Sequence, residues 1–256
     1  MKIALFSDIH ANLPALQAFF KDVDSRKPDA IYCLGDLVGY NIWPNEVIQE
    51  IRKRKIPTIA GNYDFGIGRS SDECGCAYKT EQEKALGKVS ISYTNEIVND
   101  QERAFLRTLP AHIRLEFHLN NEKLNVLLVH GSPRKINEYL FDDREKTSFI
   151  RIIELADADI LCFGHTHKPF HRIFTKQVSE TLQYMHAINI GSVGKPKDSN
   201  PKGGYVILSL NENSSKFNKE SIQVEFIRFE YDVEKAVKAI ENSQLPNEFA
   251  TMLRNG

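Results

Sequence analysis

The sequence predicts an α/β fold in which short buried strands alternate with helices and end on one shared rim. Three observations carry this expectation. Short apolar runs, Lys2–Phe6, Ala30–Leu34 and Pro57–Ala60, are bounded by polar residues, as buried strands are. Between them lie stretches whose apolar residues recur at helical spacing. Each run is followed by side chains able to bind a metal: Asp8 and His10, then Asp36, then Asn62. Helical crossovers imply parallel strands and right-handed connections. Parallel neighbours lie ~4.8 Å apart, so these side chains converge at the carboxyl ends, where open α/β sheets bind ligands.

Each element has a local reason. Asn12 is placed to cap the first helix, and Pro14 falls in its first turn, where a missing N–H costs little. Leu13, Leu16, Phe19, Phe20 and Val23 give that helix one apolar face, and Lys27-Pro28-Asp29 ends it. Pro44–Ile51 reads as a second helix, followed by Arg52-Lys53-Arg54-Lys55, cations suited to the helix dipole. Residues 65–80, rich in Gly, Ser and Cys, read as a long surface loop, and loops of that length are often functional. A polar, mostly helical stretch follows to about Pro110, so 65–110 is expected to cover the rim.

Strand patterns resume at Ile113–Phe117 and Leu124–Val129 around a turn at Asn120-Asn121-Glu122, and the second strand ends in His130. Phe149–Leu155 is a helix. Ile160–Phe163 is a buried strand ending in His165 and His167. Segments near 170–175, 183–190, 204–210 and 222–229 predict a second, largely antiparallel stretch of sheet. The appendage 232–256 is helical, with Val233, Val237 and Ile240 on one face and a short helix after Leu245-Pro246. One domain spanning 1–256 accommodates all of this.

Charge excludes some functions. With 33 Lys and Arg against 34 Asp and Glu, net charge −1, the chain has no field for steering nucleic acid or anionic membranes. No apolar run approaches the ~20 residues that span a bilayer. The first run is broken at Ser7-Asp8, unlike a signal peptide, so a cytoplasmic protein is expected. Cys33 and Cys162 lie in apolar strands as core residues. Cys74-Gly75-Cys76 reads as loop thiols, since no second pair stands at zinc-finger spacing.

Asp8, His10, Asp36, Asn62, His130, His165 and His167 form the chemical signal. Any one of them could be a capping Asp, a turn Asn or a core His. Yet four of the eight histidines follow apolar runs directly, and the joint pattern outweighs its members. Mixed imidazole and oxygen ligands suit Mn²⁺, Fe²⁺, Zn²⁺, Ni²⁺ or Co²⁺, with Mn²⁺ favoured here, rather than Ca²⁺ or Mg²⁺. Seven ligands are right for two ions sharing one carboxylate, for which Asp36 is central. Two such ions ~3.5–4 Å apart clamp a phosphoryl group and acidify a shared water, which points to phosphoester hydrolysis.

The blocks Asp8-Ile9-His10, Gly35-Asp36-Leu37-Val38-Gly39, Gly61-Asn62-Tyr63-Asp64, His130-Gly131-Ser132 and Gly164-His165-Thr166-His167 resemble the five motifs of the calcineurin-like metallophosphoesterases. Order and spacing agree through most of residues 1–210, and Gly191-Ser192-Val193-Gly194 matches a later turn of the small bacterial and archaeal phosphodiesterase-like members. The resemblance implies a four-layer α/β/β/α sandwich of two mixed sheets. It places Asp8, His10 and His167 on one metal and Asn62, His130 and His165 on a second, with Asp36 bridging. Asn62 would bind through its amide oxygen.

One residue departs from that pattern. Family members usually carry His where Tyr63 stands, with the following Asp, here Asp64, orienting it. The resemblance makes Asp36, Asn62, Tyr63 and Asp64 the catalytic set. A phenol of pKa ~10 donates a hydrogen bond but is a poor proton shuttle near neutrality. Slower turnover, or substrates with good leaving groups, is therefore expected. Arg134 is a candidate phosphate ligand, and Lys195 and Lys197 share that potential. The expected substrate is a small phosphodiester or a nucleotide-type phosphoanhydride. Exposed aromatics in 65–110 would permit a homodimer. The alternatives are a non-catalytic scaffold and a nucleotide-binding regulator on the same fold.

Overall fold

The computed structural model describes residues 1–256. It is a mixed α/β structure built on two mixed sheets flanked by helices. The first sheet runs β2 (Ala30–Cys33), β1 (Lys2–Phe6), β8 (Gly203–Ser209), β9 (Gln223–Phe229). The second runs β3 (His112–Leu119), β4 (Glu122–Val129), β5 (Ile160–Phe163), β7 (Thr181–Asn189), β6 (Phe170–Val178). β1 and β2 are parallel, as are β4, β5 and β7; the remaining pairs are antiparallel.

Strand alternation builds the layers, because successive side chains face opposite sides of a sheet. Ile3 and Leu5 of β1 join Leu124, Val126 and Leu128 of β4 and Ile160 and Cys162 of β5 in the core between the sheets. Ala4 and Phe6 face outward onto α1 (Leu13–Arg26) and α2 (Pro44–Lys53). Leu127, Val129, Leu161 and Phe163 face outward onto α6 (Lys146–Leu155) through Phe149, Ile152 and Ile153. The order is helix, sheet, sheet, helix. No helix is long and apolar enough to cross a membrane.

Most elements lie where the spacing places them. Asn12 caps α1, its side chain accepting from the Ala15 N–H at 3.2 Å. Arg52 and Lys53 occupy the last turn of α2, and Arg54 lies 3.9 Å over the Phe20 ring. The tail folds as α7 (Val233–Glu241) and α8 (Asn247–Asn255).

Three expectations are corrected. The third strand at Pro57–Ala60 is only a bridge, Thr58 beside Cys33. Pro57 has no N–H to give, and the Ala60 N–H turns away to Pro110 O at 2.8 Å. The stretch 65–80 is not all loop: Asn62–Gly68 is a helix, α3, started by Gly61 and the Asp64 carboxylate. Its glycines hid it. A Cβ at Gly66 would come within 2.7 Å of Cys74 Sγ, so close packing explains a residue that lowers helix propensity. Cys74 is accordingly buried. Finally, the strands after residue 170 do not form one antiparallel unit. β8 and β9 join the first sheet beside β1, while β7 runs parallel to β5 in the second.

The remaining helices, α4 (Glu81–Ile97) and α5 (Asp100–Leu106), lie beside α2 and α3. Arg52 and Gln49 of α2 both reach the buried Glu102 of α5, at 2.9 and 3.2 Å.

Candidate metal centre

Six of the seven predicted ligands stand just beyond strand ends, on loops that interlock, and the seventh, Asn62, opens α3. The Asp8 N–H donates to Gly35 O and the His10 N–H to Asp36 O, each at 2.9 Å, zipping the loop after β1 to the loop after β2. The Val193 N–H donates to Ser7 O and the Gly194 N–H to Asp8 O, adding the turn before β8. Backbone strain concentrates here. Asp8, His10, Asp36, His165 and His167 all have φ between 49° and 65°, in the left-handed region that non-glycine residues seldom enter. Such strain persists only where surrounding structure holds it, and it clusters at functional sites.

The structure gathers the side chains into two groups of three, Asp8, His10 and His167, and Asp36, His130 and His165, all buried. Asp36 Oδ2 stands between the groups, 3.5 Å from His10 Nε2 and 3.4 Å from His130 Nε2. Its other oxygen accepts from the Tyr63 N–H at 2.9 Å. Asn62 turns Oδ1 toward His130 Nε2 at 3.1 Å, because its Nδ2 donates to Cys74 O at 2.8 Å.

These donors fit divalent cations. Backbone carbonyls can only accept, so the Nδ1 atoms of His10, His130 and His167, which face Val38 O, Leu34 O and Lys195 O, carry the protons. The Nε2 atoms of His10 and His167 then present lone pairs, the arrangement metal-binding imidazoles use, and that of His130 would do so once its second proton is displaced. His10 Nε2 and His167 Nε2 face one another at 3.2 Å. Asp8 Oδ1, 3.1 Å from His167 Nε2, and His165 Nε2 are buried without hydrogen-bond partners. Acceptors crowded on acceptors call for positive charge between them.

Protonation agrees. Burial holds His10 and His165 down at about 3 and His167 well below the usual imidazole range, so all three are neutral at pH 7. Burial alone would lower His130 as well, but the Asp36 carboxylate overrides it and lifts His130 to about 9. That proton sits among the oxygens where a cation would bind, and metal binding displaces it. Burial pushes the Tyr63 phenol well above 10.

The other predicted residues have different places. Asp64 does not orient the Tyr63 side chain: its oxygens accept from the Leu37 N–H and the Gly61 N–H, both at 2.9 Å. It thereby clamps the loop of Asp36 to the loop of Asn62. Arg134 does not reach the centre; it is half exposed and paired with Glu138, with Nε to Oε2 at 3.0 Å. The cleft over the ligands is lined instead by Tyr40, Tyr63, Cys76, Tyr139 and Lys197. Of these Tyr40 and Tyr139 carried no sequence signal. Cys76 lay in the expected cover loop, and Lys197 followed the Gly191–Gly194 turn. Lys195 is buried with its ammonium 4.6 Å over the Tyr40 ring. Burial, then the charge of Lys197, pull it well below the ordinary lysine range.

Fold and site together define a phosphoesterase framework with paired metal-binding groups. Residues 1–213 match the model of the calcineurin-like phosphoesterase superfamily domain, and the chain belongs to that superfamily. It is 32% identical, over 95% of its length and 93% of the relative's, to an uncharacterized protein of Methanocaldococcus jannaschii. Among solved structures it is similar to a metallophosphoesterase from Sphaerobacter thermophilus, at 25% identity, TM-score 0.72, and 100% and 99% coverage. A hypothetical protein of Pyrococcus horikoshii shares the fold, at 22% identity, TM-score 0.74, and 98% and 97% coverage.

Proposed function

We propose that this protein is a hydrolase using two divalent metal ions, with Mn²⁺ favoured, to cleave a phosphodiester or a nucleotide-type phosphoanhydride. One observation carries the reading: a single oxygen, Asp36 Oδ2, lies within 3.5 Å of imidazoles from both ligand groups. Asp8, His10 and His167 would hold one ion and Asn62, His130 and His165 the other, with Asp36 shared. When bound, the ions supply positive charge that polarises a phosphoryl oxygen and lowers the pKa of a water.

The chain's own residues prepare that chemistry. Val38 O, Leu34 O and Lys195 O fix the tautomers of three histidines. The Tyr63 N–H holds one Asp36 oxygen and aims the other at the centre. The Tyr63 phenol lines the cleft with its hydroxyl unpartnered, free to donate a hydrogen bond to a phosphoryl or leaving-group oxygen. Its raised pKa keeps the proton on the phenol, so leaving groups that need no protonation are preferred.

The test is hydrolysis of bis(p-nitrophenyl) phosphate with added Mn²⁺, run beside Asp36→Asn, with metal content measured on both. Metal-dependent turnover lost in the variant supports the enzyme. Bound metal without turnover would favour a nucleotide-binding regulator, and neither metal nor turnover a scaffold.

A further inference from the structure

Lys195 and Lys197 are cations that the metal centre does not use. Lys195 is 6% exposed, and lysine is almost never that buried without a partner. No carboxylate lies within 4.0 Å of either ammonium, and neither Nζ makes a hydrogen bond. The adjacent Asp198 is taken by Arg228. Lys195 is not loosely placed. Its N–H donates to Ser192 Oγ at 2.8 Å, Ser192 Oγ donates to Asp8 O at 2.8 Å, and its carbonyl holds His167. The ammonium points over Tyr40, a ring of the cleft, and Lys197, exposed overall, lines the same cleft. Lys195, over the Tyr40 ring, and Lys197, in the cleft lining, thus place two amines without carboxylate partners beside the seven candidate ligands.

We propose that Lys195 and Lys197 form an anion subsite that holds a second, non-reacting phosphate, so that the substrate is a phosphoanhydride rather than a diester with a single phosphorus. This rests on the metal-dependent reading above and chooses between its two substrate classes. A phosphate beside the cleft would give Lys195 the acceptor it lacks, and the Tyr40 ring already offsets part of its burial. Each charge-assisted hydrogen bond to phosphate is worth roughly 10- to 100-fold in affinity.

The experiment measures binding to the Mn²⁺-loaded protein, in excess Mn²⁺, by calorimetry. The probes are methylphosphonate, methylenediphosphonate and the adenosine 5′-ester of methylenediphosphonate. The parent should prefer methylenediphosphonate over methylphosphonate by at least about 10-fold. Lys197→Gln and Lys195→Met should each cut that preference about 10-fold or more, while Lys197→Arg retains most of it. Further tightening by the adenosine ester would mark a nucleotide as the source of the anhydride; equal affinity would mark a simpler polyphosphate. Should Lys195→Met not fold, Lys197→Gln, on an exposed residue, decides alone. A parent that turns over bis(p-nitrophenyl) phosphate but shows equal preference in all variants overturns the subsite and leaves the metal centre intact. Failure of the parent to bind Mn²⁺ overturns the reading beneath it.

Discussion

Gly61→Ala isolates what holds the candidate bridging carboxylate in place. Gly61 has φ −85° and ψ 175°, backbone that alanine adopts freely, so the substitution adds only a methyl. That methyl would lie 2.1 Å from Asp36 Oδ1 and 2.3 Å from Asp36 N. Carbon–oxygen contact needs more than 3 Å, so one loop must retreat by about 1 Å. The two loops are packed closely on the Gly35 side as well, where an added Cβ would lie 2.2 Å from Gly61 N. Overpacking of this kind costs about 1–3 kcal/mol. For a chain of this size that lowers Tm by about 2–12 °C. The effect on chemistry should be larger, because a misplacement of about 1 Å can cost ~100-fold in rate. Thermal unfolding in EDTA reads the first effect; Mn²⁺ affinity and turnover of bis(p-nitrophenyl) phosphate read the second. Gly204→Ala is the control, because its added methyl meets nothing closer than 3.4 Å, the Arg228 side chain. It should be neutral or stabilising by up to about 1 kcal/mol. If Gly61→Ala matches Gly204→Ala in Tm and keeps full Mn²⁺ affinity and turnover, the two loops do not position Asp36 as argued.

Three other outcomes follow from the same geometry. Tyr63→His should raise turnover of an alkyl diester at least 10-fold, general acid catalysis being worth about 10²–10⁴; an unchanged rate would remove the account of that position. Chelation should destabilise the protein, since Asp8 and Asp36 follow strands of one sheet and His130 and His165 strands of the other. Ions at 100 times their Kd would add about 2.7 kcal/mol to each site's contribution, read as a Tm that rises with Mn²⁺ in the parent but less in Asp36→Asn. His186 is buried, its Nδ1 2.9 Å from His171 Nε2, and burial lowers it to about 3, against about 6.5 in the unfolded chain. The unfolded state therefore binds more protons between those values, and stability is lost as pH falls through that window. His186→Phe should narrow the difference in urea midpoint between pH 7.5 and pH 4.5, both measured in EDTA.

The candidate ligand blocks were legible in the sequence because their polar side chains interrupt apolar runs visibly, six of the seven just past strand ends. The layers were legible for a similar reason: Ile3 and Leu5 alternate with Ala4 and Phe6, and both sets are apolar, as a strand buried on two faces requires. What escaped notice depended on long-range contact. Nothing local to Pro57–Ala60 reveals that Ala60 bonds to Pro110, and nothing local to Gly66 reveals the thiol of Cys74 above it. Tyr40 and Tyr139 stand about a hundred residues apart and meet only across the cleft. Arg134 had the right chemistry for phosphate, but Glu138, four residues on, claims it first.

The position of β1 inside its sheet also shapes how the chain reaches its native state. β1 pairs with β2 on one side, but its other edge waits for β8, with Lys2 opposite Ser209. About two hundred residues separate these partners, and at synthesis rates of ~5–20 residues per second the gap lasts about 10–40 s. Through that interval an apolar strand keeps an open edge, the template on which chains aggregate. Loop closure of this span makes the β1–β8 pairing a natural rate-limiting step. The turn bearing Ser192 and Lys195 locks onto Asp8 only when that step is complete, so the loops holding the ligands are fully assembled among the last parts of the nascent protein.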